Sequence, residues 1–128
     1  MAAGPSWYAH YPRDFLDGTA ALSLAERGAY ITFLDCLYAE GRPLRDDRGL
    51  AMLLRCSQSE WSAARKALLK AKKIHEVIFE GDRCLTNKRA ERELVAYDAL
   101  VAKRRRAAQD SLKARGLRPA KYLKLVED

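Results

Sequence analysis

Between Trp61 and Lys73 the chain reads WSAARKALLKAKK, with five cations (Arg65, Lys66, Lys70, Lys72 and Lys73) and no acid. The chemistry open to such a run is neutralisation of a polyanion, because Lys and Arg side chains displace the counterions condensed on phosphates. Gln58, Ser59 and Ser62 stand at the front of the same segment. Their amide and hydroxyl groups can exchange hydrogen bonds with base edges. A second cluster, Lys103-Arg104-Arg105-Arg106, follows thirty residues later. Polar side chains at the start of a helix with cations behind them are the order in which a DNA-reading helix uses its residues. A solvated lysine face has a similar composition, so the elements that carry these residues decide between the two.

Catalytic chemistry has no comparable foothold. His10 and His75 are the only histidines, and neither neighbours a candidate nucleophile in sequence. Asp14 and Asp17 are close, as are Asp46 and Asp47, but the second pair has a sufficient role as a helix cap. There is no glycine-rich phosphate loop and no nucleophile elbow. Cys36, Cys56 and Cys84 are odd in number, widely spaced and set in apolar segments, which suits reduced packing residues rather than a disulfide framework or a zinc site. The expectation is a protein that is not an enzyme and holds no cofactor or metal.

The elements that must position the basic run can be read from local signals. Asp46 or Asp47 is expected to cap a short helix with Leu50, Leu53 and Leu54 at helical spacing, ending near Arg55. Ser57-Gln58-Ser59-Glu60 is a capping box for the next helix, expected over about 58–72. Cys56 and Trp61 occupy the staple positions that fix its entry angle. Trp61, Ala64 and Leu68 then face inward, and Ser62, Lys66 and Lys70 form an i, i+4 row on the other side. Val77–Phe79 and Cys84–Thr86 read as two strands around a turn at residues 80–83. Two helices joined by a short turn and followed by a hairpin give the expected fold: mainly α, a winged helix-turn-helix with a small β-hairpin and a C-terminal basic helix.

Met1–Ser6 reads as a frayed terminus. Trp7, Tyr8, Tyr11 and Phe15 around Pro12 suggest an extended arm packed on the core, although aromatics in this density can also stack on bases. Ser23-Leu24-Ala25-Glu26 is another capping box and opens a helix that Gly41 and Pro43 end. Ile31, Leu34 and Tyr38 are its expected buried stripe, with Leu24, Tyr30 and Leu37 beside it. Asn87 or Thr86 can cap a last helix on which Ala90, Leu94, Tyr97 and Val101 return to the core. Beyond Val101 the apolar face fails at Arg105, and the helix is expected to project with its basic cluster until Gly116 and Pro119. Tyr122, Leu123 and Val126 can form one more amphipathic turn. The expected division is 1–100 for the domain and 101–128 for a basic helical tail.

The 128 residues carry a net charge of +7, unevenly placed. Residues 1–60 hold six Lys/Arg against eight Asp/Glu, 61–100 nine against six, and 101–128 nine against three. The excess therefore lies in the second helix of the motif and in the tail, a footprint suited to a polyanion. No apolar run is long enough to span a bilayer and no signal-peptide pattern opens the chain, so a cytoplasmic protein without a membrane partner is expected.

Several blocks carry a family resemblance. Tyr11-Pro12-Arg13-Asp14-Phe15, Leu22 through Tyr30, Gly41-Arg42-Pro43-Leu44, Leu50 through Ser57, Glu60-Trp61 and Leu85-Thr86-Asn87-Lys88-Arg89 stand in the order seen in the YdaU-like family. The chain resembles that phage and prophage domain-of-unknown-function family over roughly residues 7–100. The family's usual glycine before the serine of the turn is Cys56 here, and the tail after residue 100 is short and basic. The resemblance implies a winged-helix role in phage replication initiation. The expected partner is double-stranded DNA, read by Gln58, Ser59 and Ser62 and held by Arg65, Lys66, Lys70, Lys72, Lys73 and Lys103–Arg106. The alternative is a phage adaptor or inhibitor, of which an anti-CRISPR protein is an example, bound to a host replication or defence machine. A homodimer through the C-terminal helix is a third use of the tail.

Overall fold

The structure, a computed structural model, describes residues 3–116; Pro119, Tyr122, Leu123 and Val126 lie outside that range. The chain is mainly helical, with a small three-stranded antiparallel sheet and a long C-terminal helix. It forms two compact units, Met1–Leu94 and Val95–Asp128.

In the first unit the elements run α1 (Pro12–Gly18), α2 (Leu24–Glu40), β1 (Leu44–Arg45), α3 (Gly49–Leu53), α4 (Gln58–Lys70), β2 (His75–Phe79), β3 (Asp82–Thr86) and the start of α5 (Lys88–Ala114). The aromatic arm departs from expectation, since Pro12 opens a helix instead of keeping the chain extended. Proline has no N–H to lose at the first helical position, and its fixed φ already suits a helix. Among the described residues before it, Gly4 and Tyr8 are tied to α2 rather than frayed. Gly4 N donates to Ala39 O at 3.1 Å, and Tyr8 stacks on Tyr38 with ring centroids 3.9 Å apart.

Both capping boxes form. Ser23 Oγ accepts from Glu26 N and Glu26 Oε1 accepts from Ser23 N, at 3.1 and 2.9 Å. Ser57 and Glu60 repeat the exchange at 3.1 and 2.8 Å. The N–H and hydroxyl of Ser57 hold the Glu60 carboxyl below the usual glutamate range. Its contribution is complete above that range and fades as pH falls through the lowered value. Replacing Ser57 with Ala should cost about 1 kcal/mol and replacing it with Gly only a few tenths. Urea denaturation of the two variants at neutral pH checks this, and equal losses would contradict a capping role.

The buried face of α2 is Phe33, Leu34, Leu37 and Tyr38. Leu34 and Tyr38 are buried as expected, Phe33 is buried where Ile31 is only half-buried, and Leu24, expected beside the stripe, is 80 % exposed. Phe33 stacks on Trp61 of α4 with centroids 6.1 Å apart and planes within 7°. Trp61, Ala64 and Leu68 turn inward as their spacing requires, and Leu50, Leu54, Ile74, Leu85, Ala90 and Leu94 complete the same core.

The cap of α3 differs from expectation. Arg48 is the N-cap residue, Asp47 Oδ1 accepts from Gly49 N at 2.9 Å, and Asp46 pairs instead with Arg65. Between α3 and α4 the turn is Leu54–Ser57, and its left-handed residue is Arg55 at φ +59°. Cys56, standing where the resembling family has glycine, therefore carries no strained backbone. The helix α4 stops at Lys70, two residues early, and Lys72 takes a left-handed φ of +60° beyond it.

The hairpin is longer than expected, pairing His75↔Thr86 through Phe79↔Asp82, and its turn is only Glu80-Gly81 within the expected 80–83. Both turn residues have positive φ, +52° and +84°. That is the twist a two-residue hairpin needs. A strand absent from the sequence reading, β1, pairs Leu44↔Leu85 and Arg45↔Cys84, so that β3 is central in the order β1-β3-β2.

Asn87 caps α5 through its Oδ1, which accepts from Ala90 N at 3.0 Å. Its Nδ2 donates to Lys73 O at 2.8 Å, tying the end of α4 to the start of α5. In the second unit the described residues continue this helix to Ala114, with Gly116 at φ +74° after it.

Candidate nucleic-acid interface

The α4 helix is fixed on one side by Trp61, Ala64 and Leu68, each at most 6 % exposed. The opposite side is set by the same 3.6-residue period. Ser62, Lys66 and Lys70 all lie exposed there, and no carboxylate pairs with either lysine among the described residues. At the front of the helix Gln58 and Ser59 are exposed. Gln58 Nε2 donates to Arg48 O at 2.5 Å, so its amide nitrogen is oriented by the preceding helix. Ser59 Oγ lies 3.2 Å from Ser57 Oγ. The helix thus presents hydroxyl and amide groups at its N-terminal end and two unpaired ammonium groups along its open side.

One of the expected phosphate contacts is otherwise engaged and a second is half-buried. Arg65 donates from Nε and a terminal guanidinium nitrogen to both Asp46 carboxylate oxygens, at 3.0 and 2.5 Å, and lies 3.5 Å from Glu76 Oε2. The fork-to-fork geometry is the strong form of this pair, and the hydrogen bond to Asp46 raises the guanidinium pKa further. A cation so held joins α4 to the loop before α3 and to β2. Lys73 is half-buried, and its Nζ lies 3.3 Å from where a Cβ on Gly18 would sit, at the C-terminal end of α1. A cation there complements the helix dipole. Lys72, by contrast, is exposed.

Two exposed cations outside the expected set bracket α3, Arg48 before it and Arg55 in the turn after it. The sequence signal for Arg55 was its place two residues ahead of the capping serine, which is where the preceding helix must reverse. The hairpin is not basic. Glu80 and Asp82 pair with Arg42 and Arg45, and Ile78 on β2 is 71 % exposed.

The N-terminal aromatics divide. Tyr8 donates its hydroxyl to Asp35 Oδ1, and Phe15 packs parallel to Tyr30. Burial and Asp35 push the Tyr8 hydroxyl pKa up, away from any neutral-pH chemistry. Trp7 stays exposed, and Tyr11 lies under the Arg89 guanidinium, 5.1 Å from its ring centroid. All three cysteines are free, and burial raises each thiol pKa, which keeps them in the less reactive protonated form.

In the second unit, Lys103, Arg104, Arg105 and Arg106 are all exposed on α5. No described helix is long and apolar enough to cross a membrane.

These features define a small, basic, mainly helical domain whose helix α4 shows solvent a face without acids. The chain belongs to the family described as "Protein of unknown function (DUF1376)", whose model matches residues 6–95. The match takes in every block from Tyr11–Phe15 to Leu85–Arg89 and ends beside the boundary between the two units. No curated protein and no solved structure matches the chain.

Proposed function

We propose that residues 1–94 form a winged helix-turn-helix that binds double-stranded DNA with α4 in the major groove. In this reading Gln58, Ser59 and Ser62 read base edges, and Lys66, Lys70 and Lys72 hold phosphates. Lys103–Arg106 adds a sequence-independent grip. Arg65 leaves the contact set because Asp46 and Glu76 hold it, and Lys73 because it is half-buried beside the end of α1. The observation that carries the proposal is the face of Ser62, Lys66 and Lys70: exposed, free of carboxylates, and rigidly presented by the buried Trp61, Ala64 and Leu68. The four-residue turn before α4 and the hairpin after it, with β1 on the far side of β3, support the winged-helix reading. Phage replication initiation or transcription control is the setting we propose, and it rests on the resemblance to YdaU-like domains alone.

A salt titration of binding to labelled duplex DNA tests the proposal. Replacing Lys66 and Lys70 together with Ala should weaken binding to every duplex alike and lower the slope of log K against log salt by about 1.8, at about 0.9 for each phosphate contact. Replacing Ser62 should instead change which sequence is preferred. Absence of duplex binding at low salt sinks the proposal. The second reading, an adaptor or inhibitor docked on a host replication or defence protein, draws on the exposed Met52 of α3 and Ile78 of the hairpin, at 81 % and 71 %. It predicts that Met52→Ser abolishes partner capture while the lysine variant does not.

A further inference from the structure

The two helices of the motif end in the same way. After α3, Arg55 N donates to Met52 O and Cys56 N to Ala51 O, both at 3.0 Å. After α4, Lys72 N donates to Leu69 O and Lys73 N to Leu68 O, at 3.0 and 2.9 Å. These are paired Schellman closures, which place one residue in the left-handed region just past each helix, and glycine is the residue strongly favoured there. The chain follows that preference elsewhere, with Gly41 at the end of α2 and Gly116 after α5, at φ +73° and +74°. At the two ends nearest the candidate interface it departs from it, and both departures are exposed cations, Arg55 at φ +59° and Lys72 at +60°. Side chains with a Cβ are strained in this conformation. Neither cation has a carboxylate partner among the described residues that would account for its place.

We infer that Arg55 and Lys72 are a pair of phosphate clamps, one at each end of α4, each gripping the backbone of a different DNA strand. Arg55 precedes the Ser57 cap of α4 by two residues, and Lys72 follows its last helical residue by two. The 13 residues between cap and end extend about 20 Å at the helical rise. A helix of that length lying across a major groove about 12 Å wide reaches beyond both rims, where the phosphates of the two strands stand. Acids near these ends are engaged within the chain. Glu60 Oε1 accepts from Ser57 N, Asp47 Oδ1 accepts from Gly49 N, and Asp46 is neutralised by Arg65. The inference rests on the DNA-binding reading proposed above, and it explains why strained cations stand where glycine would be the easier choice.

The test is a dissociation of stability from binding. Arg55→Gly and Lys72→Gly each relieve backbone strain and remove one charge. Each variant should melt at or above the wild-type temperature, yet lower the salt slope of duplex binding by about 0.9, and the double variant by about 1.8. Arg55→Asn and Lys72→Asn also tolerate the left-handed region and should give the same slopes, while Arg55→Lys and Lys72→Arg should restore the wild-type slope. Unchanged slopes in the glycine and asparagine variants, alongside a lowered slope in the Lys66/Lys70 variant, would overturn the clamps and leave the α4 face standing. A drop in melting temperature with unchanged binding would also overturn them, assigning the cations to the helix dipoles instead. Failure of the wild-type chain to bind duplex at all would remove both the clamps and the reading beneath them.

Discussion

Replacing Phe33 with Ala should lower the stability of the domain by about 3–5 kcal/mol, the range for removing a large aromatic side chain from a packed core. Phe33 is fully buried in the middle of α2 and lies parallel to the indole of Trp61. Truncation therefore removes both the transfer term and the stacked partner of the residue that seats α4. For a domain of this size the loss corresponds to a fall of roughly 15–30 °C in melting temperature. Phe33→Leu keeps most of the volume and should recover well over half of the loss. Urea melts of the two variants check the expectation. A loss below about 1 kcal/mol for Phe33→Ala would show that α2 and α4 do not share this core.

Gly41→Ala should cost about 2–3 kcal/mol, for two separable reasons. Gly41 ends α2 at φ +73°, where a side chain costs roughly 1–2 kcal/mol. A Cβ there would also come within 2.8 Å of both the backbone N and Cα of Gly4. The N-terminal segment would have to lift, losing the hydrogen bond from Gly4 to Ala39. Gly81→Ala is the matched control, because Gly81 shares the positive φ but a Cβ on it meets nothing. The difference between the two losses measures the docking of the N-terminal segment. Equal losses would show that the Gly4–Gly41 contact contributes nothing.

Much of this fold is legible in the sequence wherever the cause is local. Ser23 with Glu26 and Ser57 with Glu60 are complete instructions within four residues, and both boxes form. The inward face of α4 is legible because its apolar residues keep to one side. That clarity is weaker in α2, where Tyr30, Ile31, Phe33, Leu34, Leu37 and Tyr38 fan over an arc of about 160°, with Ile31 and Phe33 at its two edges. Which of them is central depends on where Trp61 arrives, and the spacing within α2 does not contain that. Arg65 reads as a free cation for the same reason. Its partner Asp46 lies nineteen residues earlier, joined to it only once α3 and α4 have packed. The left-handed cations escape notice because the expected marker of such a position is glycine. For the candidate site, the open face of α4 comes from the sequence, and the ends of that face come from the structure.

The two-residue strand β1 is the least conspicuous element, yet it sets how the sheet comes together. The hairpin of β2 and β3 closes over a two-residue turn and can form on the microsecond scale as a local event. Joining Leu44 to Leu85 instead closes about forty residues of chain, including all of α3 and α4. The hairpin thus has a free edge during folding until that loop closes. A nascent chain can offer β3 to a second copy of itself for as long as β1 is late, so the helices between them double as the tether that keeps pairing within one molecule.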